Sequence, residues 1–187
     1  MSDQKVKILG IDPGTNITGY GIIESNGRDC KLITMGIFDL RKQPDHQSKL
    51  KEIFLQVQEV IETYLPQHLA IEAPFYGKNV QSMLKLGRAQ GVAMAAGMTM
   101  GLHIEEYAPK KIKMAITGSG NSSKEQVAAM IESRMKIKID TKWLDATDAL
   151  AAAICHFQRI NIGGTQIPQT KYKDWKSFVS QNKAKVK

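Results

Sequence analysis

The chain has 187 residues, with 26 Lys and Arg against 18 Asp and Glu, and a formal net charge of +8. Its 42% apolar and 24% charged content excludes wholesale disorder, and the length suits one core of ordinary size. No apolar run approaches the roughly 18 residues of a membrane span, no secretory pattern opens the chain, and Cys30 and Cys155 lack zinc or disulfide spacing. A cytoplasmic protein with a polyanionic partner is expected.

In chain order, Val6 to Asp12 is an apolar run ended by Asp-Pro-Gly, the pattern of a buried strand entering a turn. Gly19 to Glu24 and Lys31 to Phe38 follow as strands around Asn26-Gly27, a hairpin signal, so the first three strands form an antiparallel meander. The period then changes: Leu50, Ile53, Phe54, Val57, Val60, Ile61, Tyr64 and Leu65 make the apolar stripe of a helix that Pro66 ends. Leu69 to Pro74 is another short buried strand. Residues 80 to 101 are helical, with Val80, Met83, Leu84, Gly87, Gly91, Met94 and Met98 on one stripe. That stripe is either core or a close helix contact. Ile104 to Tyr107 is a strand, and Pro109 suits the first position of a helix. Ser122 with Glu125, and Ser123 with Gln126, both have capping-box spacing, and a last helix is expected from about Leu144 to Arg159. The order predicts an α/β protein with a five-stranded mixed sheet, meander first and parallel strands after, flanked by helices.

Four acids stand out. Asp12 ends one strand, Glu72 lies inside another, and Asp145 and Asp148 share a face at the start of a helix. Singly, Asp12, Asp145 and Asp148 are explained as turn or capping residues. Glu72 is not, because a carboxylate in a buried strand needs a cation or donors. Parallel pairing of the first and fourth strands would bring the four together. Four oxygen donors without His or Cys suit Mg²⁺ or Mn²⁺. Two such ions about 4 Å apart serve phosphodiester hydrolysis.

The segments Ile8 to Thr15, Thr18 to Gly21, Ala70 to Phe75, Lys78-Asn79, Leu84 to Ala93 and Asp145 to Ala151 resemble, in order and spacing, the RuvC family of Holliday-junction resolvases. The resemblance covers about residues 6–160. It implies a ribonuclease-H-like fold, expected as a nuclease domain over 1–164; the basic tail over 165–187 departs from the family pattern, lacks periodicity after Gly163-Gly164 and carries +5. It also implies a homodimer that cuts two opposing strands of a four-way DNA junction symmetrically in recombination and repair. The family's acidic tetrad falls on Asp12, Glu72, Asp145 and Asp148, as catalytic and metal-binding residues for two Mg²⁺ per site, with Mn²⁺ as a substitute. A branch-migration helicase complex is the partner that the resemblance implies.

The resemblance assigns DNA contacts to Phe75, Tyr76, Lys78, Lys113 and Lys124. Phe75 matches an aromatic that stacks on a base near the crossover, worth about 1–3 kcal/mol; Tyr76 also reads as packing at a strand end. Lys113 and Lys124 match phosphate-contacting positions, and Lys124 sits just inside a capped helix, where amides favour anions. Lys78, Lys85, Arg88, Lys110 and Lys111 add salt-sensitive attraction. The four histidines read as structural or exposed. Two alternatives have sequence support. Against another nuclease of the same fold, for RNA–DNA hybrids or ribosomal RNA, the Ile-Glu-Ala-Pro-Phe run and the paired Asp145 and Asp148 favour the resolvase. An actin-like or sugar-kinase-type ATPase shares Asp-x-Gly-Thr but needs a second domain.

Overall fold

Strands β1 (Val6–Asp12), β2 (Ile17–Ser25) and β3 (Cys30–Asp39) form the antiparallel meander, with Gly10 opposite Gly21 and Asp12 opposite Gly19. This computed structural model describes residues 5–74, 79–139 and 144–162. Asn26-Gly27 opens a four-residue loop: the Asn26 side chain accepts from the Arg28 and Asp29 amides, and Gly27 takes φ +89°. β4 (His68–Glu72) runs parallel to β1, with Ile11 beside Ile71, and β5 (His103–Tyr107) runs parallel to β4. The order β3-β2-β1-β4-β5 makes the mixed sheet that the sequence implies.

Helices cover both faces. α1 (His46–Tyr64) and α2 (Val80–Thr99) lie over Leu9, Ile11, Ile22, Leu69 and Ile71. On the other face α3 (Pro109–Thr117), α4 (Lys124–Met135) and α5 (Leu144–Ile162) cover Ile8, Ile23, Ala70 and Tyr107. Successive strand residues point to opposite faces, so β1 must be apolar at nearly every position to serve two cores. The same alternation puts Gly10 and Asp12 on the α5 side, together with Ala70 and Glu72.

α1 begins four residues before the first apolar residue of its stripe, because Asp45 caps it by accepting from the Ser48 amide at 2.7 Å. Of the two capping-box candidates the structure uses Ser123 with Gln126; Ser122 instead shares a 2.7 Å hydrogen bond with the Thr117 hydroxyl. Pro109 is the first residue of α3, as its spacing predicts, and Gly118 ends that helix at φ +77°. The core reading of the α2 stripe holds at Met94, partly buried against the core beneath α1 and α2, and fails at its exposed positions. Ala89, Ala93 and Ala96 form the buried face, whereas Val80, Leu84 and Met98 are 64%, 51% and 57% exposed. A Cβ added at Gly87 or Gly91 would meet nothing within 4 Å.

Candidate metal centre

Asp12 and Glu72 end neighbouring parallel strands on the side that faces α5, and Asp145 and Asp148 lie in the first turn or two of that helix. Their approach depends on a seam of small residues. A Cβ on Gly10 would lie 2.0 Å from the Ala149 carbonyl oxygen, and one on Gly19 would lie 2.0 Å from that of Asp145. One on Gly21 would meet Leu150 at 3.0 Å. Ala146, Ala149 and Ala153 supply the helix side of this contact, all fully buried. Without side chains between backbone and backbone, the start of α5 sits directly on β1 and β2. The loop after Asp12 is pinned as well: the buried Thr18 hydroxyl donates to the Gly14 carbonyl at 2.9 Å and accepts from its amide at 3.2 Å.

Carboxylate oxygens of Asp12, Asp145 and Asp148 come within 4.8 Å of one another. Glu72 stands beside this trio and lines, with Asp12, Asp148, Lys113 and Lys124, a cleft of about 90 Å³. Burial, then the charges of Glu72 and Asp148, hold the Asp12 carboxyl well above the usual carboxylate range against the opposing pull of Lys124. Burial and then Asp148 push Glu72 up to about 7. Lys124 donates to Asp148 Oδ2. Burial opposes its charge, but that hydrogen bond and the charges of Asp148, Asp12 and Asp145 raise its pKa.

Two ammonium groups, Lys124 and Lys113, thus face four carboxyl groups, and the excess negative charge is relieved either by protonation or by cations. The donors are oxygen alone, with no His or Cys among them. That set fits a hard divalent ion, and among the described residues it is the only trio of donors already converged.

Of the residues singled out by sequence, the structure brings Asp12, Glu72, Asp145, Asp148, Lys113 and Lys124 to this cleft. Phe75, Tyr76 and Lys78 lie outside the described residues. Lys85, Arg88, Lys110 and Lys111 are exposed. Gln90 was not anticipated. Only 6% exposed, it donates to Glu106 Oε2 at 2.7 Å and to the Glu72 carbonyl oxygen at 3.5 Å, bracing the end of β4 from α2. Its signal was a polar side chain among the alanines of a buried helix face. His156 shares a helix with Asp148 but lies eight residues on, about 12 Å along the axis, where it bonds to Tyr107 and His68 instead.

Comparison with known proteins bears on this geometry. A family model described as crossover junction endodeoxyribonuclease RuvC matches residues 8–156. A crossover junction endodeoxyribonuclease RuvC of Christiangramia forsetii is 57% identical over 96% of this chain and 92% of its own length. That of Bacteroides fragilis is 54% identical over 96% and 95%. Among solved structures, Thermus thermophilus RuvC in complex with a Holliday junction substrate superposes with a TM-score of 0.78 at 27% identity, covering 84% of this chain and 96% of that one.

Proposed function

The chain belongs to the RuvC family of crossover junction endodeoxyribonucleases and is a Holliday junction resolvase with a ribonuclease-H-like fold; from that premise we propose that Asp12, Glu72, Asp145 and Asp148 are its catalytic acids. The observation that carries this reading is the convergence of three carboxylates beside a fourth, raised Glu72. Asp12, Asp145, Asp148 and Glu72 would hold two Mg²⁺, with Mn²⁺ as a substitute. When bound, such ions supply Lewis acidity and an activated water for phosphodiester hydrolysis. Asp12 and Glu72 would hold them at the strand ends, and Asp145 and Asp148 from the start of α5. Because Glu72 holds its proton up to about pH 7, loading the site releases protons. Lys113 and Lys124, on the wall of the cleft, neutralise the incoming phosphate. Phe75 stacks on a base at the crossover, with Tyr76 and Lys78 beside it in sequence contacting DNA.

One site makes one cut, so symmetric resolution calls for a two-fold homodimer. The exposed Val80, Leu84 and Met98 stripe and the open surface at Gly87 and Gly91 support α2 as its contact. A branch-migration helicase complex is the proposed partner. The nuclease domain is placed over 1–164, with the basic 165–187 tail as an auxiliary tether. Among the described residues no helix is long and apolar enough to cross a membrane, and the cytoplasm is the proposed location.

The test compares three substrates in Mg²⁺: a four-way junction, a linear duplex and an RNA–DNA hybrid. Paired symmetric nicks in the junction alone are expected, and the Asp12→Asn variant is expected to bind the junction uncut. Cleavage at the wild-type rate by that variant would overturn the assignment of the acids.

A further inference from the structure

At the far end of β4 from Glu72 a second group of donors converges, and the resolvase reaction does not use it. His68 opens β4 and pairs in register with His103 of β5, and two residues on, Ala70 pairs with Glu105. By strand alternation His68, His103, Glu105 and Tyr107 all face α5, which presents His156 and Arg159 to them. His156 Nε2 lies 3.1 Å from His68 Nδ1, and Tyr107 Oη lies 2.7 Å from His156 Nδ1. A cavity of about 330 Å³ opens onto the pair, lined by His68, His103, Glu105, His156 and Arg159. Glu105 is ion-paired with Arg159 on its wall.

We propose that His68 and His156 are the protein ligands of a transition-metal cation of the Zn²⁺, Co²⁺ or Ni²⁺ type. Two imidazole nitrogens bound at about 2.1 Å and separated by 3.1 Å subtend about 95° at the metal, inside the range such ions accept. His156 Nδ1–H then donates to Tyr107 Oη, which fixes the tautomer and leaves Nε2 with its lone pair, the usual outer support of a metal-bound histidine. Both imidazoles are held below the ordinary histidine range by burial and then by a neighbouring histidine, so both are neutral at neutral pH. Binding moves the proton that the two nitrogens otherwise share to an outer ring nitrogen, so both imidazoles bind as neutral ligands and no net proton is released. Water from the cavity fills the remaining positions, and Glu105, ion-paired with Arg159, lines the wall beside it. Imidazole donors select against Mg²⁺, the ion suited to the acids. The four residues from His68 to Glu72 separate the two centres by about 13 Å. The cation staples α5 to the sheet at the end opposite the cleft.

The test is equilibrium dialysis of the full chain against Zn²⁺ in excess Mg²⁺, which occupies the acids. One Zn²⁺ per chain is expected, retained in Asp145→Asn and weakened at least about tenfold in His68→Gln. Side-chain ¹⁵N NMR of the wild type is expected to place the ion on His68 Nδ1 and His156 Nε2. Unchanged binding in His68→Gln, loss of the ion in Asp145→Asn, or ¹⁵N shifts confined to His46 or His103 would overturn the proposal.

Discussion

At one end of the contact between β4 and α5, Glu72 and Asp148 share a cleft with two more acids; at the other, His68 meets His156 with Tyr107 behind it. The spacing matches because four strand residues and eight helix residues both cover about 12–13 Å. The two ends differ in how their polar groups are satisfied. The acids repel one another and are incomplete without cations. The histidines and the tyrosine satisfy one another, as buried polar groups must. One end is therefore built for chemistry at some cost to the fold, and the other secures the same two elements.

The largest effect that separates them is catalytic. Asp12→Asn is expected to lower junction cleavage by about three orders of magnitude or more. In chelator its unfolding free energy should stay level or rise, since a desolvated carboxyl repelled by Glu72 and Asp148 is gone. Denaturant melts and single-turnover cleavage on one preparation test both halves.

The next contrast is a difference of sign with pH. In metal-free protein folded Glu72 keeps its proton to about pH 7, against 4.5 for the ordinary group. The folded state then binds more protons than the unfolded, so this end loses stability as pH rises from about 4.5 to 7. His156, pushed down to about 4 from 6.5, binds fewer protons folded than unfolded. That end gains stability as pH rises from about 4 to 6.5. Each swing amounts to roughly 3–4 kcal/mol at most. In EDTA, Glu72→Gln should expose the rise and His156→Gln the fall; the same urea-midpoint profile in both variants would erase the distinction.

Gly10→Ala tests what the two ends have in common. Its Cβ would lie 2.0 Å from the Ala149 carbonyl, forcing α5 away from β1 at a cost of about 1–3 kcal/mol. Cleavage should fall as well, because Asp148 precedes Ala149. The smallest change expected is in His156→Gln at neutral pH. It leaves Tyr107 and His68 with a poorer partner, costing about 1 kcal/mol of stability, with cleavage within a few-fold of wild type at permissive temperature.

Much of this was legible in the chain. The unbroken apolar character of β1, the change of period at Leu50, Pro109 at a helix start and the acids at element ends are local signals, set by sterics and hydrogen bonding within a few residues. They yield the order of elements, and with the motif spacing they yield the family. Other features were decided only by packing. The sequence offers Ser122 and Ser123 as caps equally, and the choice fell to Ser123 because Thr117 engages Ser122. The α2 stripe reads equally as core or as a helix contact until the sheet takes the alanine face instead. Gly10, Gly19 and Gly21 look like ordinary strand glycines, yet their missing side chains let α5 bring Asp145 and Asp148 to Asp12. His68 and His156, 88 residues apart, carry no mark of their pairing. Such contacts depend on how the whole sheet and its helices close on one another, which no window of sequence contains.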